Sequence, residues 1–160
     1  MEMWRPSPGR RPHAMEIFRE FTFDAAHRLD HLPEGHKCAR VHGHTYRLTV
    51  FLAGPLDPVV GWIVDFAEVK RAVTEVLEPL DHHLLNDVPG LEQPTTERII
   101  VWLWDRLRER LPQVTRLELW ENATSGAVYS GEPLEVASPS PSSSPSSSPS
   151  PPPGRPDAVR

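Results

Sequence analysis

The stretch "CARVHGH", Cys38 to His44, holds the single cysteine of the chain and two of its eight histidines. His42 and His44 are two residues apart, so on a strand both would leave the same face. Neutral imidazole nitrogens suit zinc, and three protein ligands with one open position make a catalytic rather than a structural site. A third ligand is needed, and His27, His31, His36, His82, His83 and Cys38 are the candidates. His27 fits if the strand it ends folds back beside residues 42–44; otherwise the pair is two surface histidines that happen to alternate.

Cys38 has two readings. A lone cysteine is usually a small buried hydrophobe, but here Glu34, His36, Lys37 and Arg40 surround it in sequence. Cations and a nearby metal favour thiolate. A thiolate beside a Lewis acid can take a proton from a group the metal has acidified. It can equally be a fourth ligand that closes the site.

Two further places carry chemistry. In "LDHH" (residues 80–83) Asp81 can orient or charge-stabilise the His82 imidazole as an acid/base pair; the plainer reading is a helix end with favourable histidines. Glu121 shares parity with Leu117 and Leu119. It is either exposed at the rim or holds an amidine-like ligand by two hydrogen bonds.

The elements that must position these groups are legible from patterning. Residues 16–27 and 43–52 alternate as strands, with His44, Tyr46, Leu48, Val50 and Leu52 on one face. Residues 65–80 place apolar side chains at 66, 69, 73, 76, 77 and 80, a helical spacing, and Asp65 with Glu68 resembles a capping box. A loop is expected over "DHHLLNDVPGLEQP". A second helix follows over 95–111, capped by Thr95. Strands are expected at 114–121 and 126–132. The order β-β-α-α-β-β is an α+β fold, with two helices on one face of an antiparallel sheet. Its edge strands favour oligomerisation that joins sheets edge to edge.

Composition bounds the rest. Ser and Pro fill 17 of the 23 positions from 138 to 160. Such a segment cannot bury enough surface to offset its ordering entropy. A disordered N-terminal extension (1–14), one folded domain (15–134) and a disordered Ser/Pro-rich tail (135–160) are expected. Net charge is -5, which argues against nucleic acid as partner. No segment is apolar for long enough to span a membrane. One cysteine and no export signal point to the reducing cytoplasm.

Together these residues resemble the 6-pyruvoyl-tetrahydropterin synthase family over about residues 16–132. The motifs are "FDAAHRL", "PEGHKCARVHGH", "GWIVDFAEVK", "LDHHLLND", "PTTE" and "WENATSGAVYSGE". The short step in CxxxHGH resembles the bacterial, carboxy-forming branch of queuosine biosynthesis; the pyruvoyl-forming branch usually has a longer insert. The resemblance implies a tunnelling fold whose sheets join into a barrel, usually a hexamer of two trimers with sites between subunits. It implies zinc on His27, His42 and His44, Cys38 as general base, and Asp81 with His82 as proton shuttle. It implies Glu121 as anchor of the pterin 2-amino and ring N–H edge, with Thr95, Thr96, Glu97, Asp65 and Phe66 lining the pocket. The implied reaction converts 7,8-dihydroneopterin triphosphate to 6-carboxy-5,6,7,8-tetrahydropterin, acetaldehyde and triphosphate. Lys37 and Arg40 are candidates for drawing in the triphosphate. Asn122 and Ala123 depart from the family pattern, which commonly has Thr and a small residue or Cys there.

Overall fold

The structure, a computed structural model, describes residues 15–135; the expected extension 1–14 and, beyond Glu135, the expected tail lie outside the described residues. Five strands form one sheet: β1 (Ile17–His27), β2 (His42–Leu52), β3 (His83–Leu84), β4 (Val114–Trp120) and β5 (Gly126–Tyr129), in the order β3-β1-β2-β4-β5. Two helices, α1 (Phe66–Leu77) and α2 (Thr96–Arg110), complete the α+β architecture.

The alternation in β1 and β2 does what its parity requires. Phe23, Ala25 and His27 on β1 are buried, as are Tyr46, Leu48, Val50 and Leu52 on β2 and Leu117 and Leu119 on β4. Against this face α1 buries Val69, Ala72, Val73, Val76 and Leu77, while α2 buries Ile99, Ile100, Trp102, Leu103 and Leu107. Each fully buried aliphatic side chain contributes roughly 1.5–3 kcal/mol relative to exposure. These residues therefore dominate the stability of the scaffold under the site.

Both helix starts carry their caps. The Asp65 carboxylate accepts from Ala67 N–H at 2.8 Å, and the Thr95 hydroxyl accepts from Arg98 N–H. The return bond from Glu68 that would complete a capping box is not among the hydrogen bonds of the described residues. α1 ends at Leu77 rather than residue 80, yet Leu80 is still fully buried in the turn that follows. Phe66, expected on the apolar side, is 45% exposed.

Two other differences matter for the site. The loop after α1 contains β3, which pairs parallel to β1 through Ala25↔His83 and Ala26↔Leu84. A two-residue strand has no periodicity to read, and its pairing comes from a contact about sixty residues away in sequence. The sheet is therefore antiparallel except at this edge. The last strand also stops at Tyr129; Gly131 follows at φ +83°, where the Trp104 ring lies so close that a Cβ would meet it at 2.2 Å.

Candidate functional site

The β1·β2 hairpin brings the three histidines together. Antiparallel pairing sets His27 directly opposite His42 and Ala25 opposite His44. Gly43 sits between the two β2 histidines, where a Cβ would press against Ala25 O at 3.3 Å. One ring nitrogen from each of His27, His42 and His44 lies within 4.8 Å of the others, close enough to hold a metal ion.

The hydrogen bonds fix which nitrogen is offered. His27 Nδ1 lies 2.7 Å from Pro94 O, and His42 Nδ1 lies 2.8 Å from Arg40 O. A carbonyl can only accept, so both Nδ1 atoms carry a proton, and in the neutral form of each ring that leaves Nε2 with its lone pair. Those two Nε2 atoms are 3.0 Å apart. Two lone pairs facing at that distance repel unless a cation lies between them. His44 Nε2 is buried without a hydrogen-bond partner; Glu121 Oε1 is 3.3 Å away but outside hydrogen-bonding geometry. Two facing lone pairs and a third, partnerless ring nitrogen fit a metal ion with imidazole preference, such as zinc.

Electrostatics act in the same direction. Burial lowers the pKa of His27, opposed by the Pro94 hydrogen bond and reinforced by its two histidine neighbours. Burial likewise lowers His44, against the pull of Glu121. The neutral, ligating forms are favoured. Beneath the rings, Tyr46 is fully buried with its hydroxyl 3.5 Å from His27 Nδ1, and burial raises its pKa.

The other predicted groups fall at different distances from this centre. Cys38 lies half-buried in a short 3-10 turn, Lys37–Ala39, and its sulfur is not part of the three-histidine group. Its backbone is held on both sides: Cys38 N–H donates to His36 Nδ1, and Cys38 O accepts from Leu29 N–H. His31, His36 and His83 are exposed and stand outside the group. Glu121, just past β4, accepts from the Thr96 hydroxyl at 2.5 Å through Oε2 while Oε1 faces His44. This carboxylate therefore links the start of α2 to the histidines.

Asp81 and His82 form a pair, His82 Nδ1 to Asp81 Oδ1 at 2.9 Å. The pair is pinned to β1: Asp24 N–H donates to Asp81 Oδ1, and His82 N–H donates to Asp24 O. His82 takes a left-handed conformation, φ +61°, to do so. A cleft of about 530 Å³ runs from His44 past Gly43 and Thr45 to His82. Within one chain, Glu97 instead borders a groove of about 450 Å³ with Arg98 and Trp102, and Asp65 caps α1. Lys37 and Arg40 are exposed.

Sequence reading missed four contributors: Pro94 and Arg40 through their carbonyls, Asn86, and Asp24. Carbonyl acceptors have no residue-type signature. Asn86 and Asp24 lie inside "LLND" and "FDAAH", but their partners lie 57 or 58 residues away.

A family model described as 6-pyruvoyl tetrahydropterin synthase matches residues 16–132. A 6-carboxy-5,6,7,8-tetrahydropterin synthase from Synechocystis is 40% identical over 119 residues, covering 71% of this chain and 91% of that protein. A dihydroneopterin monophosphate aldolase from Pyrococcus furiosus is 36% identical over 113 residues, covering 69% and 92%. Among solved structures, Caenorhabditis elegans 6-pyruvoyl tetrahydropterin synthase superposes with a TM-score of 0.69 at 27% identity, covering 74% of this chain and 96% of that one.

Proposed function

The chain belongs to the 6-pyruvoyl tetrahydropterin synthase family, and on that premise we propose that it is a zinc-dependent carbon–carbon lyase. It converts 7,8-dihydroneopterin triphosphate and one water to 6-carboxy-5,6,7,8-tetrahydropterin, acetaldehyde and triphosphate, supplying 7-deazapurine synthesis such as that of queuosine. The observation that carries the reading is the convergence of one ring nitrogen from each of His27, His42 and His44, with Nδ1 of His27 and His42 committed to carbonyls. The 40% identity to a carboxy-forming relative and the short CxxxHGH step support this branch over the others.

His27, His42 and His44 would hold the ion. When bound, it would supply Lewis acidity at the side-chain hydroxyls of the substrate, making adjacent C–H bonds acidic. Glu121 accepts from the 2-amino group and ring N–H of the pterin, and the Thr96 hydroxyl holds that carboxylate in place. Cys38, off the metal, takes a proton from the side chain of the substrate as thiolate. His82 relays a proton, and Asp81 keeps its Nδ1 side anchored. Sheets of neighbouring copies join edge to edge in a homo-oligomer, a hexamer on the family pattern. Thr95, Glu97, Asp65 and Phe66 line the pocket, which on the family pattern lies between subunits. Lys37 and Arg40, exposed beside Cys38, attract the triphosphate.

Product analysis tests this. Purified, zinc-loaded protein given dihydroneopterin triphosphate yields acetaldehyde and a carboxypterin on this reading. A 6-pyruvoyl product means the elimination-only activity. Preference for the monophosphate means the aldolase activity. No turnover by zinc-loaded protein means a metal site that only braces the hairpin, with Cys38 as a fourth ligand.

A further inference from the structure

Asn86 has no part in the chemistry above, yet its carboxamide is fully committed. Oδ1 accepts from Arg28 N–H at 2.9 Å and Nδ2 donates to Arg28 O at 2.9 Å. The second Nδ2 proton points to Glu92 O at 3.5 Å. The two-point bond to one residue copies what a neighbouring strand would do. It prolongs the short β1·β3 ladder, which ends at Ala26↔Leu84, past His27 to residue 28.

The placement brackets one metal-ligand candidate. Arg28 is the residue after His27. Glu92 is two residues before Pro94, which is buried and whose carbonyl takes the His27 Nδ1 proton. The intervening chain is closed by its own turns, Val88 N–H to Leu85 O at 3.0 Å and Leu91 N–H to Val88 O at 2.9 Å. One side chain therefore holds both the backbone that carries the imidazole and the loop that selects its tautomer.

We infer that Asn86 is a positioning residue for His27. It keeps Pro94 O on Nδ1 so that Nε2 presents a lone pair, and it acts on metal affinity without touching the metal. This rests on the reading of His27, His42 and His44 as a metal site. A mere loop staple would add stability but would leave the affinity of the folded chain unchanged. Partners that orient ligating histidines typically govern metal affinity by roughly 10- to 100-fold.

Two substitutions separate these roles. Asn86→Ala removes both bonds to Arg28. Asn86→Asp is nearly isosteric and keeps the Oδ1 acceptor, but it sets an oxygen against Arg28 O. Full-length parent and variants are titrated with zinc in competition with a chromophoric chelator, under conditions where circular dichroism shows them folded. The cobalt(II) ligand-field spectrum of each is recorded alongside. Val76→Ala, a core substitution in α1, sets the scale for destabilisation alone; its affinity should stay within about twofold of the parent. The expected result is a zinc affinity lowered roughly 10- to 100-fold in both Asn86 variants, with an altered cobalt spectrum.

Parent-like affinity in the folded Asn86 variants overturns the inference and leaves the metal site standing. So does an equal loss in Val76→Ala, or failure of both Asn86 variants to fold even when saturated with zinc. Absence of zinc binding by the parent is a different failure: it removes the metal reading and this inference with it.

Discussion

Replacing Glu121 by Gln tests the pterin anchor while sparing every proposed metal ligand. A carboxylate offers acceptors only. One oxygen is engaged by the Thr96 hydroxyl at 2.5 Å, and the other faces the histidines 3.3 Å from His44 Nε2. Both retain lone pairs for a ligand with two adjacent N–H donors. An amide has one acceptor and one donor, so whichever way the substituted side chain turns, one ligand N–H loses its acceptor and meets an NH2. A hydrogen bond to a charged group is worth about 1.5–3 kcal/mol, which converts to roughly 10- to 150-fold in kcat/KM. The unsatisfied donor adds to that. The assay is the rate of acetaldehyde formation by zinc-loaded Glu121→Gln, with zinc content measured on the same sample. Zinc should stay at the parent level while kcat/KM falls. An unchanged kcat/KM with zinc retained would refute the anchor; loss of zinc would show that Glu121 belongs to the metal site instead.

Three further outcomes follow from the same geometry. Cys38→Ala should keep its zinc but lose roughly 10²- to 10⁴-fold in turnover, the usual contribution of a positioned base; loss of metal would favour a closed Cys/His₃ site. Stripping the metal with a chelator should lower the melting temperature: at a hundredfold excess over Kd the bound ion contributes about 2.7 kcal/mol, on the order of 10 °C for a core of this size. An unchanged melting curve would mean no ion binds the native state. For the metal-free chain the depressed pKa values of His27 and His44 set a pH dependence. The unfolded chain protonates these histidines near pH 6.5, before the folded chain does, so it binds more protons as the pH falls below that value. The urea midpoint should therefore fall on going from pH 7.5 to 5.5, and a rise would contradict the assignment.

Much of the scaffold was legible because its signals are local. Alternation over Tyr46, Leu48, Val50 and Leu52 specifies an inward face, and a one-residue slip would turn all four to solvent. With that register, pairing His27 with His42 needs only a hairpin. Thr95 reads as a cap because its partner, Arg98 N–H, is three residues away. The missing parts are long-range or carried by the backbone. The His27 Nδ1 proton meets Pro94 O across 67 residues, and nothing in the residue type Pro announces an acceptor. β3 is two residues long and exists because Ala25 and Ala26 offer it an edge. Phe66 kept helical spacing but stayed exposed at the first turn of α1, a position that spacing alone does not resolve. Glu97 and Asp65 stand apart from the histidines within one chain: Glu97 borders the Trp102 groove and Asp65 caps α1.

Carbon–carbon cleavage is the central claim, and stoichiometry tests it most directly. Zinc-loaded full-length protein is given a limiting amount of 7,8-dihydroneopterin triphosphate, and released triphosphate and acetaldehyde are both quantified. Equimolar release, with all pterin recovered as the 6-carboxy product, is predicted. Triphosphate without acetaldehyde would contradict it.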